Sequence, residues 1–90
     1  MKKKDIKILL VDDEQDILEI VGYNLSQEGY QIVTASNGKE AIAKAKKEHP
    51  HLIIMDVMMP EMDGMEACEN IRKIPELQDT IITFLTARSE

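Results

Sequence analysis

The sequence predicts an α/β domain built on a parallel sheet. Two observations carry that prediction. Short apolar runs alternate with amphipathic segments along the chain in the order βαβαβαβ. The run Leu52-Ile-Ile-Met55 is apolar without interruption and ends in Asp56. Such a run suits a strand buried on both faces. Pro60 and Gly64 follow and prevent the strand from continuing. Asp56 is therefore expected where a buried strand surfaces at its carboxyl end, the edge at which open parallel sheets bind ligands.

Ile6–Val11 reads as the first strand, apolar except for Lys7, and it ends in Asp12-Asp13-Glu14. Residues 14–28 read as the first helix, because Leu18, Val21 and Leu25 recur at helical spacing with Ile17 and Ile20 beside them. Asp12 with Gln15 has the form of an N-terminal cap and its reciprocal partner, and Gly29 is a C-terminal stop. Residues 30–35 form a short second strand, and Ser36-Asn37-Gly38 is a turn. Residues 39–48 read as the second helix, with Ala41, Ile42 and Ala45 inward and Lys39, Lys44, Lys46 and Lys47 outward; His49-Pro50 ends it. The Leu52–Asp56 strand comes next. A third helix runs from about Met65 to Lys73, with Met65, Cys68 and Ile71 inward, and Ile74-Pro75-Glu76 breaks it. Residues 81–85 are the fourth strand, with Thr86 at its end. No repeat, linker or low-complexity tract interrupts the series.

Ninety residues make one domain with a modest core. Only Tyr23, Tyr30 and Phe84 are aromatic, so the core is aliphatic. Eleven basic against 17 acidic residues give a net charge of −6, which argues against direct nucleic acid binding by this domain. The single cysteine, Cys68, cannot form an internal disulfide and fits a reducing compartment. Lys2 to Lys4 before an apolar run resemble a signal peptide only faintly: Lys7 interrupts the run, and acids stand where a cleavage site should be. No stretch reaches transmembrane length, so no membrane association and a cytoplasmic location are expected.

Asp12 and Asp13 end the first strand and Asp56 the third. If those strands are neighbours, their carboxyl ends lie roughly 5 Å apart. Three carboxylates at that distance repel unless a cation sits among them, and hard oxygen ligands with room for water suit Mg²⁺. A carboxylate beside Mg²⁺ can accept a phosphoryl group, because the metal neutralises the incoming charge.

At these residues the sequence resembles the receiver domain of two-component response regulators. The matching pieces are Leu9-Leu-Val-Asp12-Asp13-Glu14, Ile53-Ile-Met-Asp56-Val-Met-Met-Pro60 with Asp63-Gly64, and Phe84-Leu-Thr86-Ala87. The resemblance covers the whole chain. It implies a flavodoxin-like three-layer fold with strand order 2-1-3-4. It implies that Asp56 is the phosphoacceptor of a histidine kinase and that Asp13 ligates Mg²⁺ directly. Asp12 would help through water, the Met58 backbone carbonyl would complete the protein ligands, and Thr86 would be the switch hydroxyl that reads the phosphoryl group. It further implies a cytoplasmic signalling module, not an enzyme beyond slow self-dephosphorylation; whether a DNA-binding domain, an enzyme or no effector is joined beyond residue 90 is left open by the sequence.

The family's fifth strand, its fourth and fifth helices and the lysine after that strand have no position here; Arg88 is near in sequence but is not that lysine. Residues 1–90 are therefore expected to be a C-terminally incomplete receiver domain. Its bare fourth-strand edge and sheet face are expected to drive self-association or segment swapping.

An interaction fragment without phosphotransfer is the main alternative. A phosphoaspartate phosphatase of the haloacid dehalogenase type would need a second Asp two residues after Asp56, where Met58 stands. A dinucleotide-binding half-domain would need a glycine-rich turn in place of Asp12-Asp13-Glu14. Met55 and Met65 are expected in the core, Met58, Met59 and Met62 in a loop shaping access to Asp56, and His49 and His51 in solvent.

Overall fold

The computed structural model describes residues 2–85, so Thr86 and its expected role lie outside the described residues. A 3₁₀ turn at Lys3–Asp5 precedes β1 (Lys7–Val11), α1 (Gln15–Gln27), β2 (Gln31–Ala35), α2 (Gly38–Glu48), β3 (Leu52–Asp56) and α3 (Gly64–Arg72). A second 3₁₀ turn at Pro75–Leu77 leads into β4 (Ile81–Leu85). All pairings among these strands are parallel, and the sheet order is β2-β1-β3-β4, as the sequence predicts. The two 3₁₀ turns are additions, and the predicted element boundaries hold to within about two residues.

Side-chain alternation along the strands divides the interior into two layers. Leu9, Val11, Ile53 and Met55 pack with Ala41 and Ala45 of α2 and Ala67 and Ile71 of α3. Ile8 and Leu10 pack on the other face with Leu18 of α1, joined by half-buried Val21, Leu25, Leu52 and Ile54. Right-handed crossovers require this division: the step from β1 to β2 runs one way across the sheet and the later steps run the other way. The β3 run is thus fully buried on one face and only half-buried on the other.

Local chemistry ends each helix. The expected Asp12–Gln15 capping pair does not form. Glu14 is the extended N-cap of α1 and makes no side-chain cap bond. The Asp12 carboxylate instead accepts the Glu14 N–H at 2.9 Å, because Asp12 stands two residues too early to reach the first helical amides. At α2, Asn37 Oδ1 accepts the Glu40 N–H at 2.8 Å. Glu40 in turn accepts from the Ser36 N–H and hydroxyl, which holds its carboxyl below the ordinary glutamate range. Residue His49, with φ of 49°, closes α2 in the left-handed conformation. At α3, Asp63 Oδ1 accepts the Glu66 N–H at 2.9 Å.

Three packing expectations are corrected. Met65 is 52% exposed rather than core. The helix begins at Gly64, and Gly64, Ala67 and Ile71 share the inward stripe, so Met65 is turned about 100° away from it. Met59 lies in the loop between β3 and α3, as expected, but its side chain is buried in the α2/α3 layer. Lys44 is not on a fully solvated face: its ammonium donates to the Thr34 carbonyl at 2.8 Å, with its stem lying along the helix–sheet seam.

The two methionines should therefore separate in a stability measurement. Met55→Ala is expected to cost about 2–5 kcal/mol in urea unfolding. Met65→Ala should change stability by less than about 0.5 kcal/mol. Equal losses at both positions would contradict the placement of α3.

Candidate functional site

The register of the sheet builds the site. β1 and β3 pair through Val11 opposite Met55. The next residue of each strand, Asp12 and Asp56, therefore arrives at the same level on the carboxyl edge. The Asp12 N–H donates to the Ala35 carbonyl at 3.1 Å, and Asp56 stands opposite Leu85 of β4. Both acids thus begin from backbone held on a neighbouring strand. Asp12 is 3% exposed and Asp56 1%, while Asp13 is exposed beside them. One carboxylate oxygen from each of the three lies within 4.8 Å of the others. The structure thus brings together all three acids that the sequence singles out.

Each buried carboxylate is oriented by the chain that follows it. Asp12 Oδ1 accepts the Glu14 N–H, and Asp56 Oδ1 accepts the Met58 N–H at 3.0 Å. These are Asx turns, in which a side chain satisfies the amide two residues on. Two buried carboxylates this close to a third repel one another as anions. A cation among them removes the repulsion. The donor set is oxygen only and Asp13 is open to solvent, so the cluster fits a hard divalent ion that keeps part of its water shell. Met58 is 65% exposed at the rim, placed two residues after Asp56.

In the sequence, Gly64 is expected to do no more than keep the Leu52–Asp56 strand from continuing. The structure gives it a second task. Its N–H donates to the Val57 carbonyl at 2.9 Å. A Cβ built on Gly64 would lie 2.5 Å from the Asp56 carbonyl oxygen and 3.0 Å from Val57 Cα. Only glycine allows α3 to start this close to the backbone of Asp56. The signal for this in the sequence is an Asp-Gly pair eight residues after an acidic strand end, which by itself reads as an ordinary helix start.

The remaining reactive side chains lie elsewhere. His49 and His51 are both exposed, as expected, and lie at the opposite end of the sheet. His51 Nδ1 accepts the Lys7 N–H at 3.0 Å and so trims the start of β1. Cys68 is half-buried on α3.

Comparison with known proteins gives the same fold. The family model of the response regulator receiver domain matches residues 8–90. The alkaline phosphatase synthesis transcriptional regulatory protein PhoP of Bacillus subtilis is 48% identical over 84 residues, 93% of this chain. The chain spans only 34% of the length of that relative. Among solved structures, the chemotaxis protein CheY4 of Vibrio cholerae superposes with a TM-score of 0.88 at 39% identity, over 94% of this chain and 71% of that one. The response regulator TrrA of Thermotoga maritima, solved in complex with Mg²⁺-BeF, superposes with a TM-score of 0.84 at 43% identity, over 93% of this chain and 71% of that one.

The close approach at Gly64 sets the sign of a substitution there. An alanine early in a helix ordinarily stabilises by about 0.5–1 kcal/mol. Gly64→Ala is expected instead to destabilise by about 1–3 kcal/mol in urea unfolding, because the neighbour it meets is backbone that cannot swing aside. A stabilised variant would refute the contact.

Proposed function

The chain belongs to the response regulator receiver domain family, and from that premise we propose that Asp56 accepts a phosphoryl group from a histidine kinase with Mg²⁺ bound at the acidic edge. The observation that carries the proposal is the approach of Asp12, Asp13 and Asp56 within 4.8 Å at the ends of adjacent strands. Asp13, Asp56 and the Met58 backbone carbonyl would hold the metal, and Asp12 would act through water. Bound Mg²⁺ would supply charge neutralisation for the phosphoryl oxygens. The chain's own work is to hold the Asp56 carboxylate still, through the Met58 N–H, and to exclude most of the surrounding water. A carboxylate oxygen then bonds to phosphorus as the P–N bond of the kinase phosphohistidine breaks, and the imidazole leaves with the electron pair. Thr86 is proposed to donate its hydroxyl to the phosphoryl group once formed.

This makes the domain a phosphoacceptor in signalling rather than an enzyme with turnover. The position two residues after Asp56 carries Met58, where an acid would be needed to hydrolyse substrate efficiently. The chain spans 34% of the length of the PhoP relative, and a transcriptional effector in the same protein is proposed on the strength of that relative. DNA contact is then left to that effector, in keeping with the net charge of −6 here. Among the described residues no helix is long and apolar enough to cross a membrane, and a cytoplasmic setting is proposed.

Two measurements test the site. At a Mg²⁺ concentration about tenfold above its dissociation constant, binding should add about 1.4 kcal/mol to stability. For a domain of this size that is a rise in Tm of roughly 6–11 °C. Asp13→Asn should lose most of the rise. A small-molecule phosphodonor should add one phosphoryl group in a Mg²⁺-dependent manner, detected by mass spectrometry, and Asp56→Asn should not be labelled. Labelling that persists in Asp56→Asn would remove Asp56 from the role.

A second observation favours association between copies of this chain. Among the described residues β4 pairs with β3 alone, and its Ile-Ile-Thr-Phe-Leu sequence contains no charge or proline to guard an edge. Ile81 is 64% exposed beside a groove of about 370 Å³ lined by Ile8, Leu25, Tyr30, Leu52 and Ile54. Among the described residues the β4 edge and the apolar groove are continuous, so we propose this face as one through which copies of this chain pair. Light scattering across a dilution series should show a mass above that of one chain, falling on dilution, and Thr83→Lys should leave a monomer. A wild-type monomer at every concentration would end the proposal.

A further inference from the structure

The chain between Asp56 and α3 is held at both ends by contacts already described, and its middle rests on a different element. A Cβ added to Gly38 would lie 2.8 Å from Met62 Sδ, 2.9 Å from Met62 Cγ and 3.0 Å from Met62 Cβ. The Met62 side chain therefore lies along the backbone of the first residue of α2. Gly38 is buried, and it is held there by the Asn37 cap, through the Glu40 N–H at 2.8 Å and the Ala41 N–H donated to the Asn37 carbonyl at 2.9 Å. The seat under Met62 is thus a rigid helix start.

The segment that rests on it is otherwise strained. Glu61 has φ of 69°, and the Met62 N–H donates to the Pro60 carbonyl at 2.8 Å across it. This is a γ-turn with positive φ at its centre, the less favourable hand. A glutamate in that conformation persists only where neighbouring contacts over-determine it. Two side chains of the segment supply such contacts: Met59, buried in the α2/α3 layer, and Met62, packed on that layer and on Gly38. Between Asp56 and these anchors lies Met58, whose N–H orients the Asp56 carboxylate.

We propose that Gly38 is a positioning residue for the acidic site. It seats Met62, Met62 fixes the height of the 57–63 segment, and that height sets the Met58 backbone against the Asp56 carboxylate. A residue on the β2–α2 connection, with no contact to the carboxylates, thereby governs the geometry of the acceptor. The first readout needs no metal; only the second rests on the Mg²⁺ reading above.

The experiment is amide hydrogen exchange by NMR without metal, on wild type, Gly38→Ala, Met62→Ala and the double variant. In Gly38→Ala the Met58 and Gly64 amides should exchange about tenfold faster or more, while the capped Glu40 amide keeps its protection. Met62→Ala should release the same amides, and the double variant should be no worse than Met62→Ala alone, because both remove one contact. A purely helical effect of Gly38→Ala would instead slow exchange throughout α2, since alanine is the better helix former. Met62→Ala truncates a half-buried side chain, so it decides the matter if Gly38→Ala does not fold. In the second readout, Mg²⁺ affinity should fall about tenfold in Gly38→Ala, as for the loss of an outer support of a metal site. Wild-type protection of Met58 and Gly64 in either single variant, or effects that multiply in the double variant, would overturn the proposal. Wild type that binds no Mg²⁺ would refute the metal reading while the exchange data still decide the role of Gly38.

Discussion

The approach of Asp12 and Asp56 is the constraint on which the rest of the structure turns. Two acidic side chains, each almost wholly buried, end adjacent parallel strands within 4.8 Å of each other and of Asp13. Such an arrangement opposes folding until something compensates the charge. The fold supplies partial compensation through the Glu14 and Met58 amides, each aimed at one carboxylate oxygen. The solvent-open Asp13 leaves a path by which a hydrated cation can supply the remainder. Parallel pairing is what makes the approach possible. It places successive strand ends on one edge, whereas an antiparallel pair would send one of these acids to the far side of the sheet.

The two faces of the sheet support that edge unequally. Against α2 and α3 the core is closely fitted, with Ala41, Ala45 and Ala67 letting the helices approach large side chains from β1 and β3. Met55, immediately before Asp56, belongs to this layer and is completely buried. On the α1 side, Leu52 and Ile54 are only half-covered and Ile81 is largely bare. Asp56 is thus backed by the more closely packed half of the molecule. Among the described residues the looser half is the one that leaves more apolar area in water.

The segment from Val57 to Asp63 shows how a buried carboxylate can be kept in place by contacts well away from it. Its backbone bonds are short-range: the Val57 carbonyl accepts both the Met59 and the Gly64 amides. Its side-chain anchors are long-range, with Met59 in the core and Met62 on Gly38. Local bonds define the shape of the turn, and distant contacts define where that shape sits. A site built this way responds to changes in α2 as well as to changes beside Asp56.

Much of this was legible in the amino-acid order. Apolar runs at residues 6–11, 52–55 and 81–85 and the helical spacing of Leu18, Val21 and Leu25 are local patterns, set by the geometry of one strand or one helix. The resemblance to receiver domains implies the strand order, and the handedness of crossovers then sets the face each helix covers; the order is what brings Asp12, Asp13 and Asp56 to one edge. Other features depended on the tertiary structure. Asp12 bonds to the Glu14 amide rather than capping α1, Met65 faces solvent, Met59 is buried, and Gly38 and Gly64 are places of close approach rather than simple turn residues. The physical reason is common to all four. Periodicity states which side of an element is apolar, but a shift of one residue at a helix start rotates every side chain by about 100°. Such starts are set by what the neighbouring backbone allows. The distance from Gly38 to Met62, or from Gly64 to the Asp56 carbonyl, exists only once separate segments have been packed together.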